Sequence, residues 1–63
     1  MTIGDRLIAA RGARKREDVC KACGISLSAL TMYELNYRVP RDEIKIRLSK
    51  FFGIPVQELF YAD

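Results

Sequence analysis

Residues that commonly end helices recur at short intervals along this chain. Glycine or asparagine, the residue types that most readily adopt left-handed backbone geometry, stands at Gly12, Gly24, Asn36 and Gly53. The segments between them carry apolar residues at helical spacing. The pattern therefore predicts a series of short amphipathic helices joined by tight turns, and no strand.

Five helices are predicted from this punctuation. The first has Thr2 as its N-cap, places Ile3, Leu7 and Ala10 at positions i, i+4 and i+7, and stops near Gly12. Ser26 is a strong N-cap for the third helix, and Pro55 lies beside the start of the last. The remaining four helices are predicted over Arg16–Cys23, Leu27–Leu35, Asp42–Phe52 and Val56–Tyr61.

The length and composition indicate one ordered domain over residues 1–63. About half of the 63 residues are apolar and 30% are charged, which is a globular balance. A net charge of +3 favours an anionic partner. No apolar run reaches the length of a membrane span, and the N-terminus lacks the pattern of a secretory signal. We expect a cytoplasmic protein with no membrane association.

The side chains that usually carry catalysis or bind metals are sparse. The chain has no histidine, so Cys20 and Cys23 cannot complete a structural zinc site within one chain, and both fall on the core arc of the second helix. Glu34 and Glu58 have no histidine or serine–histidine partner, and no glycine-rich phosphate loop is present. We expect no enzyme activity, no metal and no cofactor.

The block from Arg16 to Leu35 has the spacing of a helix-turn-helix. Cys20 is a small residue where two helices would cross, and Gly24 accepts the positive φ of the turn. Ile25 would fill the corner and Leu30 would anchor the second helix of the motif. A tight helical corner is therefore predicted at Gly24–Ser26.

Nearly the whole chain resembles the phage-repressor and Cro-like (XRE) family. The resemblance is carried by IGDRL at the start, EDVCKACGISLSAL in the centre, YE followed by RVP, and LSKFFGIPVQELF at the end. It implies an all-α fold, a compact five-helix lambda-repressor-like domain whose third helix enters the major groove of DNA. It also implies a sequence-specific regulator of transcription, a repressor or Cro-like protein of a bacterial or phage-infected cell.

The resemblance assigns two groups of DNA-contacting residues. The base-reading positions at the start of the third helix correspond to Ser26, Leu27, Ser28 and Met32. Arg16 matches a position near the phosphate backbone, and Arg38 and Arg41 match the backbone-contacting stretch after the third helix. Arg14 and Lys15 precede Arg16 in a basic cluster with Arg11. Such a cluster could be only a solvated surface, but its place beside Arg16 favours a role at the phosphate backbone and adds Arg14 and Lys15 to the predicted phosphate-binding group.

Some residues depart from the family pattern. Leu27, Met32 and Leu35 are apolar where polar side chains would form bidentate bonds with bases. They could contact thymine methyl groups, or they could bind a protein, in which case the domain would be an antirepressor or modulator rather than a DNA reader. Lys45 stands in the fourth helix at a position that is usually apolar.

The family's two-fold operators imply a homodimer. An apolar surface near the C-terminus could form its interface, and its candidate residues are Ile46, Ile54, Pro55 and Tyr61.

Overall fold

The computed structural model describes residues 1–62, which form five helical segments and no strand. These are α1 (Ile3–Arg11), α2 (Arg16–Cys23), α3 (Leu27–Glu34), α4 (Asp42–Phe52) and α5 (Gln57–Tyr61). The all-helical prediction is confirmed. Two details differ, because α3 ends one residue earlier than predicted and α5 begins one residue later with π-helical geometry. None of the described helices combines the length and apolarity needed to cross a membrane.

The helix ends follow the predicted local chemistry. Thr2 and Asp5 form a reciprocal capping box at the start of α1, each accepting a backbone N–H of the other at 3.1 Å. Ser26 Oγ accepts the N–H of Ala29 at 3.0 Å and caps α3. Gly24 follows α2 with a φ of 67°. Asn36, after α3, has a φ of 64° and is the one non-glycine residue with positive φ among the described residues.

The N-terminus of α1 lies directly against the end of α3. Gly4 donates its backbone N–H to Asn36 Oδ1 at 2.8 Å, and Asn36 Nδ2 donates to Thr2 Oγ1 at 3.0 Å. A Cβ atom on Gly4 would collide with the backbone oxygen of Glu34. The two helices can therefore approach this closely only because residue 4 has no side chain.

One apolar core joins all five segments. α1 packs on α3 and α5, while α2 packs on α3 and α4. Both cysteines are buried free thiols within this core, as predicted. The other buried hydrophobic residues are Leu7, Val19, Leu30, Tyr33, Leu48, Leu59 and Phe60.

Lys45 is an exception to the apolar core, with only 8% of its surface exposed. Its ammonium donates a hydrogen bond to the Tyr61 hydroxyl at 2.7 Å. It also lies 4.7 Å from the ring centroid of Tyr61 and 5.7 Å from that of Phe60, within cation–π range. The stem of the lysine fills the place of an apolar residue, and α5 supplies partners for its charge.

Candidate functional site

The α2–α3 corner has the geometry predicted for its residue types. Ile25 donates its backbone N–H to Cys20 O at 3.1 Å, which closes the turn after the left-handed Gly24. The Cys20 thiol lies 3.5 Å from Ser26 O. From α4, the Arg47 guanidinium donates to Cys23 O at 3.4 Å. This places a cation at the C-terminal end of α2, where the negative end of the helix dipole stabilises it. The corner is thus held by its own backbone and by α4.

α3 presents two sides with different surroundings. Leu30, Tyr33 and Glu34 are buried against the rest of the domain. The predicted base-reading residues lie on the other side, and Ser26, Leu27, Ser28 and Met32 are all exposed.

The exposed side of α3 encloses a shallow hollow of about 370 Å³. The structure brings Leu27, Ser28 and Met32 together in its wall. The chain after α3 folds back over this side of the helix and adds to the wall of the hollow, because Tyr37 donates its backbone N–H to Met32 O at 2.9 Å. Thr31, Leu35 and Tyr37 complete the lining. Tyr37 was absent from the sequence-based site, since nothing in its local pattern predicts the fold-back.

A buried acid pairs with two arginines beside this surface. Arg11 binds Glu34 with Nε at 2.8 Å and Nη2 at 3.3 Å, and Arg16 Nε binds the same carboxylate at 2.9 Å. The Glu34 side chain is 2% exposed and that of Arg16 is 46% exposed. Burial alone would raise the pKa of Glu34, but the hydrogen bonds and charges of both arginines hold it below its ordinary value. Glu34 is therefore an ionised part of the structure at neutral pH.

The predicted phosphate-binding residues occupy different surroundings. The Arg14 guanidinium lies 5.6 Å and 5.9 Å from the ring centroids of Phe51 and Phe52 and donates to Ala10 O at 3.0 Å, so it packs towards the end of α4. Arg16 instead pairs with α3 through Glu34. The side chains of Lys15, Arg38 and Arg41 are exposed. Lys15 and Arg41 are also the N-cap residues of α2 and α4, and neither caps its helix with its side chain.

The predicted dimer residues are not uniformly exposed. Ile46, Pro55 and Tyr61 are exposed, whereas Ile54 is partly buried. Ile54 lines a second hollow, of about 470 Å³, which also includes Ala9 and Ala10 of α1. The Tyr61 hydroxyl is already bound to Lys45.

Metal-ligating side chains do not cluster anywhere in residues 1–62. Burial raises the pKa of the Cys20 and Cys23 thiols; Glu17 and Glu34 add to the effect at Cys20, whereas Arg47 opposes it at Cys23. Both cysteines are therefore neutral core side chains at neutral pH.

Sequence reasoning did not find the pairing of Glu34. In the sequence alone, Glu34 has no histidine or serine–histidine partner that would make it a catalytic acid. The available signal is an acidic residue on the buried arc of α3, in a chain that has arginines in both preceding helices.

A protein-family model described as a helix-turn-helix matches residues 8–59 of the chain. The match begins within α1, includes all of α2, α3 and α4, and ends within α5. No curated protein and no solved structure matches the chain in the corresponding comparisons.

Proposed function

Because the chain belongs to the helix-turn-helix family of Cro- and repressor-like DNA-binding regulators, we propose that it recognises particular duplex sequences and represses transcription from them. In this proposal α3 enters the major groove. The observation that carries it is the division of α3 into a buried side and an outward side. The buried side anchors the helix, and Leu27, Ser28 and Met32 are left available to base edges.

The chemistry of the outward side suggests how bases would be read. Leu27 and Met32 have no hydrogen-bonding group, so they would contact thymine methyl groups, which lie in the major groove. The Ser28 hydroxyl can donate one hydrogen bond and accept up to two. Ser26 already caps α3 through its hydroxyl oxygen and would contribute through its remaining O–H. Selectivity would then be modest and would depend partly on DNA shape.

Basic residues around α3 would position the domain on the phosphate backbone. Arg16, Arg38 and Arg41 are the main candidates, and exposed Lys15 would add to them. Arg14 is the weakest member of the group because its guanidinium lies over Phe51 and Phe52. Replacing Arg38 or Arg41 by Ala should weaken binding to all duplexes alike and lower the salt slope by about one unit.

Selection from a random pool of duplex DNA tests the proposal directly. We expect an enriched, thymine-containing sequence whose affinity falls steeply with salt. The same duplex with uracil in place of thymine removes only the methyl groups and should bind more weakly, and Leu27→Ala and Met32→Ala should reduce this difference. Equal affinity for both duplexes contradicts methyl recognition, and the absence of any enriched sequence contradicts the proposed function.

A second candidate function is favoured by the apolar hollow. Leu35 and Tyr37 are 54% and 74% exposed and extend the apolar surface beyond the proposed base-reading residues. Exposed apolar surface of this kind often binds protein. If the domain is an antirepressor or modulator, Leu35→Ser should abolish association with a regulatory protein while the chain itself shows no salt-dependent binding to duplex DNA.

A further inference from the structure

The guanidinium of Arg16 is only partly used within the domain. Its Nε donates to Glu34, but its two terminal amino groups make no hydrogen bond within residues 1–62. An arginine has five N–H donors, so four remain for another acceptor. With 46% of the side chain exposed, an anion can reach them.

Glu34 is also bound by Arg11. Arg11 donates hydrogen bonds to both carboxylate oxygens, and its remaining amino group donates to Arg14 O at 3.1 Å. The carboxylate is thus a buried acceptor that Arg11 already binds through two hydrogen bonds. Both arginines donate to this carboxylate, and Arg11 Nη2 and Arg16 Nε share its Oε1.

We infer that Glu34 is a positioning residue for the DNA-phosphate contact of Arg16, an inference that rests on the proposed function. An exposed arginine samples many rotamers and must lose this freedom when it binds. The ion pair with Glu34 restricts Arg16 before DNA arrives and leaves its terminal amino groups available to phosphate oxygens. A buried negative charge would therefore raise the affinity of this surface for a polyanion.

The sign of this effect separates positioning from simple charge. Two arginines and one carboxylate give the cluster a net charge of +1, since two positive charges and one negative charge are present. If only the charge mattered, removing the carboxylate would strengthen phosphate binding. Positioning predicts the opposite.

The test compares Arg16→Lys with Arg16→Ala on the duplex selected from the random pool. Lysine keeps the charge but has no planar fork that could bind Glu34 and a phosphate together. We expect both variants to bind about tenfold more weakly than the parent, the effect of losing one charge-assisted bond. Lys21→Ala, at an exposed lysine of the same helix, is the charge control and should change affinity little. Binding by Arg16→Lys within about twofold of the parent would overturn the inference.

A binding cycle with Glu34→Gln provides the second measurement, made at temperatures where each variant is folded. Glu34→Gln should weaken binding in the parent and should cause no further loss in an Arg16→Ala background. Tighter binding by Glu34→Gln, or additive effects in the double variant, would overturn the inference and leave the proposed function intact. A parent protein that binds no duplex would overturn the proposed function and this inference with it.

Discussion

Among single residues, Gly4 is where local preference and tertiary packing conflict most sharply. Inside a helix, exchanging glycine for alanine normally adds about 1 kcal/mol of stability. At Gly4 the new Cβ would collide with the Glu34 backbone oxygen and crowd the Asn36 side chain. Overpacking of this kind costs about 1–3 kcal/mol.

We therefore predict that Gly4→Ala lowers the free energy of unfolding by about 2 kcal/mol, measured by urea denaturation. Asn36→Gly is the informative companion, because it keeps the positive φ but removes the side chain that binds Gly4 and Thr2. An increase in stability for Gly4→Ala would mean that α1 and α3 do not approach as closely as described.

The cysteines give a second prediction for individual residues. Cys23→Ala should destabilise the domain by about 1 kcal/mol because it leaves a small void in the core. Cys20→Ala should be tolerated, since a small residue suits the helix crossing. Burial raises the pKa of both thiols, so alkylation of the native protein at neutral pH should be slow and should accelerate in urea. Rapid alkylation of the native protein would contradict the buried placement.

Among the helices, α4 and α5 are linked by the hydrogen bond between Lys45 and Tyr61. Tyr61→Phe keeps the ring but removes the oxygen that accepts the Lys45 hydrogen bond. We predict a loss of about 1 kcal/mol, the usual cost of leaving a buried donor without its partner. Tyr37→Phe is the matched control, because Tyr37 is highly exposed. Equal stability of the two variants would show that the Lys45 hydrogen bond contributes little.

Glu34 links α1, α2 and α3 through its ion pairs, so the stability of the domain should depend on pH in the acidic range. The folded-state pKa of Glu34 lies below its ordinary value of 4.5. Its contribution to stability is therefore complete above that value and is lost as the pH falls through the folded-state pKa. Thermal unfolding between pH 6 and pH 3, titrated in steps of about half a unit around the reference pKa values of carboxylates, should show this decline.

Glu34→Gln should be less stable by about 3 kcal/mol at neutral pH, because it leaves two arginines without their carboxylate. It should also lose less stability on acidification than the parent does. An identical acid response in parent and variant would assign the effect to other carboxylates.

The helices were largely predictable from the sequence, but the side-chain contacts between different helices were not. Thr2, Ser26, Gly24 and Gly53 determine helix ends through their own backbone and side-chain chemistry, so sequence spacing was sufficient to place them. The Arg11–Glu34–Arg16 cluster joins residues from three helices, and its distances depend on how those helices pack. The same applies to Lys45, whose burial makes sense only once α5 lies beside it.

For the molecule as a whole, binding to a two-fold operator would require two copies of the domain to assemble. We predict that Ile46→Glu prevents dimer formation and weakens binding to a full operator by about tenfold, because an interface would bury an unpaired carboxylate. Ile8→Glu is the matched control, because Ile8 is also an exposed isoleucine but lies on α1 rather than α4. Sedimentation of each protein with and without DNA measures the outcome. A parent protein that stays monomeric on DNA would rule out the dimer. A dimer unaffected by Ile46→Glu would show that the interface lies at other residues.

The separation of the two sides of α3 also bears on how such a domain can change its target. Leu30, Tyr33 and Glu34 hold the helix in the fold, and none of them lines the outward hollow. Mutations at Leu27, Ser28 and Met32 can therefore accumulate during evolution with little penalty to folding. A library randomised at these three codons should yield mostly folded proteins, so the same scaffold could be retargeted in the laboratory without redesign of its core.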